Sequence, residues 1–107
     1  MANTYKNAKV DLTSTGNTTV YTCPTGAIAI IKSILVSEDS NNSDTITITL
    51  TDASADVYSV FKDKAITAKQ TLELLTSPMV LNAGDILKTQ AATANRLHVI
   101  VSILEVS

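Results

Sequence analysis

With 107 residues, ten acidic against eight basic side chains and a net charge of −2, the chain is long enough for one domain with its own core and lacks the clustered cations that bind nucleic acid. A single cysteine, Cys23, excludes an internal disulfide, and the longest apolar run, Gly26 to Ile31, is too short to span a bilayer. About a third of the residues are Val, Ile or Thr, β-branched side chains that favour a pleated sheet over a helix. The opening residues, Met1 to Lys6, show no basic-then-apolar leader pattern, which predicts a protein that is not secreted.

Residues 1–8 are polar, carry no strong local signal and form a candidate extended N-terminal arm. From Lys6 to Thr13 the chain alternates weakly through Ala8, Val10 and Leu12, predicting a first strand. After a turn over 14–17 comes a short strand, Thr18 to Cys23. Cys23-Pro24-Thr25-Gly26 then places Pro second and Gly fourth, the layout of a type I turn.

The stretch Ala27 to Thr51 organises the rest: a long strand, an acidic loop and a strand expected to fold back on the first as a hairpin. The return strand, Thr45 to Thr51, alternates without fault and puts Ile46, Ile48 and Leu50 on one face. The outgoing strand, Ala27 to Ser37, carries Ile28, Ile30, Ile34 and Val36 on one face, interrupted by Lys32, and Ile31 and Leu35 on the other. Apolar residues on both faces predict that a second layer or another chain covers each side. In the loop between them, Asp39, Asn41 and Ser43 have the alternate spacing of a calcium loop. No central Gly follows, and Leu50 stands where a bidentate Glu belongs, so the stretch reads as a solvated loop.

Residues 57–75 fit two patterns. Val57, Phe61, Ala65, Ala68, Leu72 and Leu75 have helical spacing, whereas the preferred reading is two strands, Val57–Lys62 and Gln70–Leu75. Pro78 restricts Met79 to Leu81 to an edge strand or a strand start, and Asn82-Ala83-Gly84-Asp85 predicts a turn with positive φ at Gly84. Ile86 to Gln90 and Arg96 to Val106 complete the set. The last strand again has two apolar faces, Leu97, Val99, Val101 and Ile103 against Ile100, Leu104 and Val106. The sum is an all-β, single-domain β-sandwich or jelly-roll of about eight short antiparallel strands over residues 1–107.

No stretch announces a chemistry. His98 is the only histidine and has no partners at metal-ligand spacing; Cys23 has no basic neighbour in sequence; the three glycines all fall in turns. Tyr58 and Phe61 could offer at most a small aromatic platform for a sugar. The expectation is a protein that is not an enzyme and needs no cofactor or metal. The candidate oligomer or partner interface is Ile31, Leu35, Ile100, Leu104 and Val106, the apolar residues facing away from the expected core.

Three stretches together resemble the small β-sandwich or jelly-roll virion structural proteins of tailed bacteriophages. They are Thr19 to Ile34, with its strand, Pro-x-Gly turn and long strand; Val80 to Lys88; and Val101 to Val106. The resemblance implies a capsid cement or decoration protein that bridges major capsid subunits in the virion, assembled in the host cytoplasm. A tail, neck or baseplate subunit is the alternative, and a carbohydrate-binding module a third reading from another class. The resemblance further implies a homo-oligomer, with a trimer favoured, and partners among virion proteins, with no nucleic acid and no membrane.

Overall fold

A computed structural model describes residues 3–107. Nine strands follow in order: β1 (Asn3–Asp11), β2 (Thr18–Thr22), β3 (Ile28–Glu38), β4 (Asp44–Thr51), β5 (Val57–Ile66), β6 (Thr71–Glu73), β7 (Met79–Leu81), β8 (Ile86–Ala91) and β9 (Leu97–Val106). All pairings are antiparallel, and there is no helix among the described residues. One sheet runs β1-β9-β3, with the short β6 and β7 sharing the far edge of β3; the other runs β2-β8-β4-β5. The protein is therefore a two-sheet β-sandwich, in keeping with its sequence.

The core lies between the sheets. Val99, Val101 and Ile103 of β9 interleave with Ile46 and Ile48 of β4 and Leu87 of β8, all almost completely buried. The alternation in β4 thus does what a period of two requires, with isoleucine in and threonine out, whereas β9 keeps Ile100, Leu104 and Val106 on its outward parity. Residues 57–75 form β5 and β6, the strand alternative; the helical spacing there is accidental, because most of its apolar positions belong to two strands in different sheets.

Three expectations need correction. First, β3 and β4 do not form a hairpin. β3 pairs with β9, β6 and β7, and β4 pairs with β5 and β8, so residues 39–43 cross from one sheet to the other. Alternation says which face of a strand is buried and nothing about its neighbour, and a short loop spans the ~10 Å between packed sheets as easily as it closes a hairpin. Second, the turn after β2 closes one residue later than expected: Ala27 N–H donates to Pro24 O at 3.2 Å and Gly26 has φ 83°, the left-handed value that the third position of a type II turn requires. Third, of the segment expected as an arm, residues 3–8 lie in β1, an edge strand paired along its length with β9; residues 1 and 2 fall outside the described residues.

The loops are held by carboxylates. Glu38, only 1% exposed, accepts from Ser40 N (3.0 Å), the Ser40 hydroxyl, Asn42 N (3.3 Å) and Lys69 N (3.0 Å). This one side chain organises both the crossing after β3 and the approach to β6. Burial works against its charge, but the donors from Ser40, Lys69 and Asn42 outweigh it and bring the pKa down to about 2. Asp52 accepts from Ser54 and Asp56 (2.9 and 3.0 Å), Asp85 from Asn82 (2.9 Å) and Asp44 from Thr93 (3.1 Å) in the same manner. In the turn before β8, Gly84 takes φ 87°, as its sequence predicts.

Candidate functional site: the outer face of the five-stranded sheet

β3 does not keep one parity along its length. Its register against β9 shifts between Ile31 and Ser33, so Lys32 is an extra residue, a β-bulge. Before the bulge Ala29 and Ile31 point into the core; after it Ile34, Val36 and Glu38 do. Glu73 of β6 seals the irregularity. Its carboxylate accepts from Ile34 N at 2.8 Å, from Leu75 N at 3.2 Å and from the Ser33 hydroxyl. Burial opposes the charge of Glu73 here too, and these donors win, holding its pKa below the ordinary carboxylate value.

The bulge corrects the expected interface. Ile31 is 0% exposed and belongs to the core, so no partner can reach it. Leu35, Ile100, Leu104 and Val106 do lie on the outer face, and Ile28 and Ile30, assigned to the inner face by simple alternation, join them there. Across the sheet, register aligns Tyr5, Leu104, Ile30 and Val80 in one row and Val106 with Ile28 in the next. Further along, Ile100 stands beside Leu35. Tyr5 (77%), Val80 (54%), Ile28 (49%) and Ile100 (44%) are well exposed for large apolar side chains.

Between the two apolar blocks runs a row of small polar residues, Asn7, Ser102 and Ser33. An open cavity at this waist, about 460 Å³, is lined by Tyr5, Lys6, Asn7, Lys32, Ser102 and Ile103. Lys32 is carried there by the bulge and makes no ion pair among the described residues. The lysine that interrupts the apolar pattern of β3 was the visible signal of this arrangement, although its sequence does not say that parity changes there.

The opposite outer face differs in kind. On the four-stranded sheet, Thr47 lies beside Gln90, and Thr49 beside Lys88 and Ser59. One side of the sandwich is thus apolar with a cation at its waist, and the other is largely hydroxyl-bearing.

The remaining chemistry-bearing residues lie away from this face or at its ends. The Cys23 thiol is buried against the carbonyls of Ala27 and Leu81 (3.5 and 3.7 Å), and burial raises its pKa, the reverse of a reactive thiol. His98 is half-buried at one end of the apolar face, with Nε2 3.3 Å from Asp11 and Nδ1 3.6 Å from Asp39. Tyr21 of one sheet donates to Glu105 of the other, and Lys6 reaches the same carboxylate at 2.9 Å, which ties the edges of the two sheets together. The Tyr21 and Lys6 donors lower the pKa of Glu105; burial, then Glu105 itself, raises that of Tyr21. Tyr58 is 55% exposed, but Phe61 packs against the core, so the two do not form a common platform. No group of three or more His, Cys, Asp or Glu side chains is placed to hold a metal ion among the described residues, and no helix is long and apolar enough to cross a membrane.

No family model and no curated protein matches the chain. Among solved structures, it is similar to an Eiger TNF from S. frugiperda, with a TM-score of 0.41 and 12% sequence identity over 96% of this chain and 93% of that one. At that identity the likeness does not extend to function.

Proposed function

We propose that this protein is a structural component of a tailed-bacteriophage virion, a capsid cement or decoration protein that works by surface burial. The observation that carries the proposal is the uncovered outer face of the five-stranded sheet. β3 and β9 span eleven and ten residues there, roughly 33–36 Å, and about four strand widths add ~19 Å, so the face offers on the order of 700 Å². A standard protein interface buries about 800 Å² per partner, so the whole face, two apolar blocks with a polar row between them, is close to the size of one such interface. The phage assignment itself rests on the resemblance of residues 19–34, 80–88 and 101–106 to small virion proteins. A cement protein suits these features: it stabilises a shell through many repeated contacts, each modest and multiplied by symmetry.

The test is binding of the purified chain to particles assembled without it. Saturable binding with a fixed copy number per shell, lost on Ile100→Asp and Leu104→Asp while the fold survives by circular dichroism, is the expected result. Binding confined to tails or baseplates would move the protein to the tail, and binding to neither would end the virion reading.

A further inference from the structure

Among the described residues, this sandwich blunts every sheet edge but one. β2 is five residues long and shifts register against β8 between Thr19 and Tyr21. β5 shifts register twice against β4 and takes a left-handed φ of 49° at Asp63. β6 and β7 have three residues each, and Pro78 stands immediately before β7. Short strands, irregularities and prolines all keep an edge from adding a foreign strand. β1 has none of them. Its residues, Asn3 to Asp11, pair with β9 one to one without a shift, and no strand pairs with its outer side. We propose that β1 pairs antiparallel with β1 of a second copy about a two-fold axis at Asn7, so that one sheet runs through both copies.

Geometry and charge select the register. In an antiparallel pair, opposed residues turn their backbone N–H and C=O groups both towards each other or both away, and the direction alternates along each strand. A strand that pairs with its own copy must therefore set one residue opposite itself. Lysines are the one protective feature of the β1 edge, and they exclude registers without closing the edge. Centring on Lys6, Lys9 or Asp11 sets a charge against its own copy. Centring on Asn7 does not, and no other centre pairs all of β1: Asn3 with Asp11, Thr4 with Val10, Tyr5 with Lys9, Lys6 with Ala8, and Asn7 with itself. The two Lys6 side chains then lie diagonally, each already held by its own Glu105 at 2.9 Å.

The outward row gains most. Tyr5 is 77% exposed in the single chain, and Lys9 has no ion pair among the described residues. In this register the Lys9 ammonium of each copy meets the Tyr5 ring of the other, two symmetric cation–π contacts, and the Asn7 amides face each other across the axis. Tyr5 stands beside Leu104 and Lys9 beside Ile100, so the outer faces of the two copies become continuous across the join. An isologous contact of this kind uses up the edge and stops at two.

Sedimentation velocity on the full chain should show monomer giving way to dimer between micromolar and millimolar concentration, as befits a small interface. Tyr5→Lys places a lysine opposite each Lys9 and should weaken dimerisation about tenfold; adding Lys9→Glu should restore it. Both side chains are exposed, so neither change reaches the core. A second measurement reads the axis itself. In Asn7→Cys the introduced thiols stand directly opposite, with Cα atoms about 4.5–5.5 Å apart, inside the span of a disulfide, and mild oxidation should yield a covalent dimer. Lys9→Cys sets the thiols four residues apart, ~13 Å, and should not crosslink. Cys23 is buried and serves as the silent background. A monomer at millimolar concentration, a trimer, a crosslink at position 9 in preference to 7, or a Tyr5→Lys dimer as strong as the wild type would each overturn the inference. So would a chain that stays monomeric and protects its β1 amides from exchange only when particles are added, which would give the edge to a strand of the shell. The pairing does not depend on the virion role, which particle binding tests separately.

Discussion

Replacing Ile48 by alanine tests the core most directly. Ile48 sits in the interior strand β4, between Phe61 on β5 and Thr89 on β8, and is completely buried. The change removes three carbons, worth about 2.4 kcal/mol of lost transfer free energy at ~0.8 kcal/mol per carbon. β4 is flanked on both sides and faced by the other sheet, so the site can collapse little, and a cavity term adds to the loss; the total should be about 3–5 kcal/mol. Against a stability of ~5–15 kcal/mol for a domain of this size, that is a third or more of the margin. Urea melts followed by far-ultraviolet circular dichroism should show the midpoint falling with little change in slope. Thr45→Ala, on the outward parity of the same strand, controls for backbone propensity and should cost well under ~1 kcal/mol. A loss below ~1 kcal/mol for Ile48→Ala would show that the inward parity of β4 is wrong.

The hydroxyl of Thr89 is completely buried and has no hydrogen-bond partner, so Thr89→Val should leave the protein unharmed or stabilise it by up to ~1 kcal/mol in the same melts; a loss above ~1 kcal/mol would mean the hydroxyl is satisfied. The Glu38 carboxyl has its folded pKa lowered from 4.5 to about 2, so its contribution is present above the unfolded value and is lost as pH falls from about 4.5 towards 2. Protection factors against hydrogen exchange in residues 38–44, each rate taken against the intrinsic rate at the same pH, should therefore fall over that window in the wild type, and Glu38→Gln should already show low protection at pH 7 and little change through the window. Gly84→Ala places a Cβ 3.1 Å from that of Ala53 at a left-handed φ, and should cost about 1–3 kcal/mol; a neutral melt would argue against that turn geometry.

The strands were legible because each carries its own period. Ile46-x-Ile48 and Leu97-x-Val99-x-Val101-x-Ile103 announce their buried faces within a few residues, and Gly84 announces its turn. Partnership was not legible. Nothing local in residues 27–51 distinguishes a hairpin from a crossing between sheets, since the information resides in β9, some fifty residues further along. The site was half legible for the same kind of reason. Leu35, Ile100, Leu104 and Val106 follow from parity alone, but Ile31 exchanges places with Ile30 because the bulge at Lys32 is stabilised from outside the strand, by Glu73 of β6.

That bulge makes β3 behave like a text with one inserted letter. Everything after Lys32 is read in a frame displaced by one from everything before it, and β7 holds the first frame while β6 holds the second. Substitutions at Lys32 leave both frames intact. Deletion of that single residue would leave plain alternation, with Ile31 inward, Ser33 outward and Ile34 inward, so the β9 pairings on either side would join without a bulge; only Lys32 kept in a regular pleat would drive Ser33, Leu35 and Ser37 inward in place of Ile34, Val36 and Glu38. Sequence length at this position therefore decides whether the bulge exists, not which side chains are buried. Functional variation in this protein can change what Lys32 offers a partner, or remove the residue, without changing the inward set of β3.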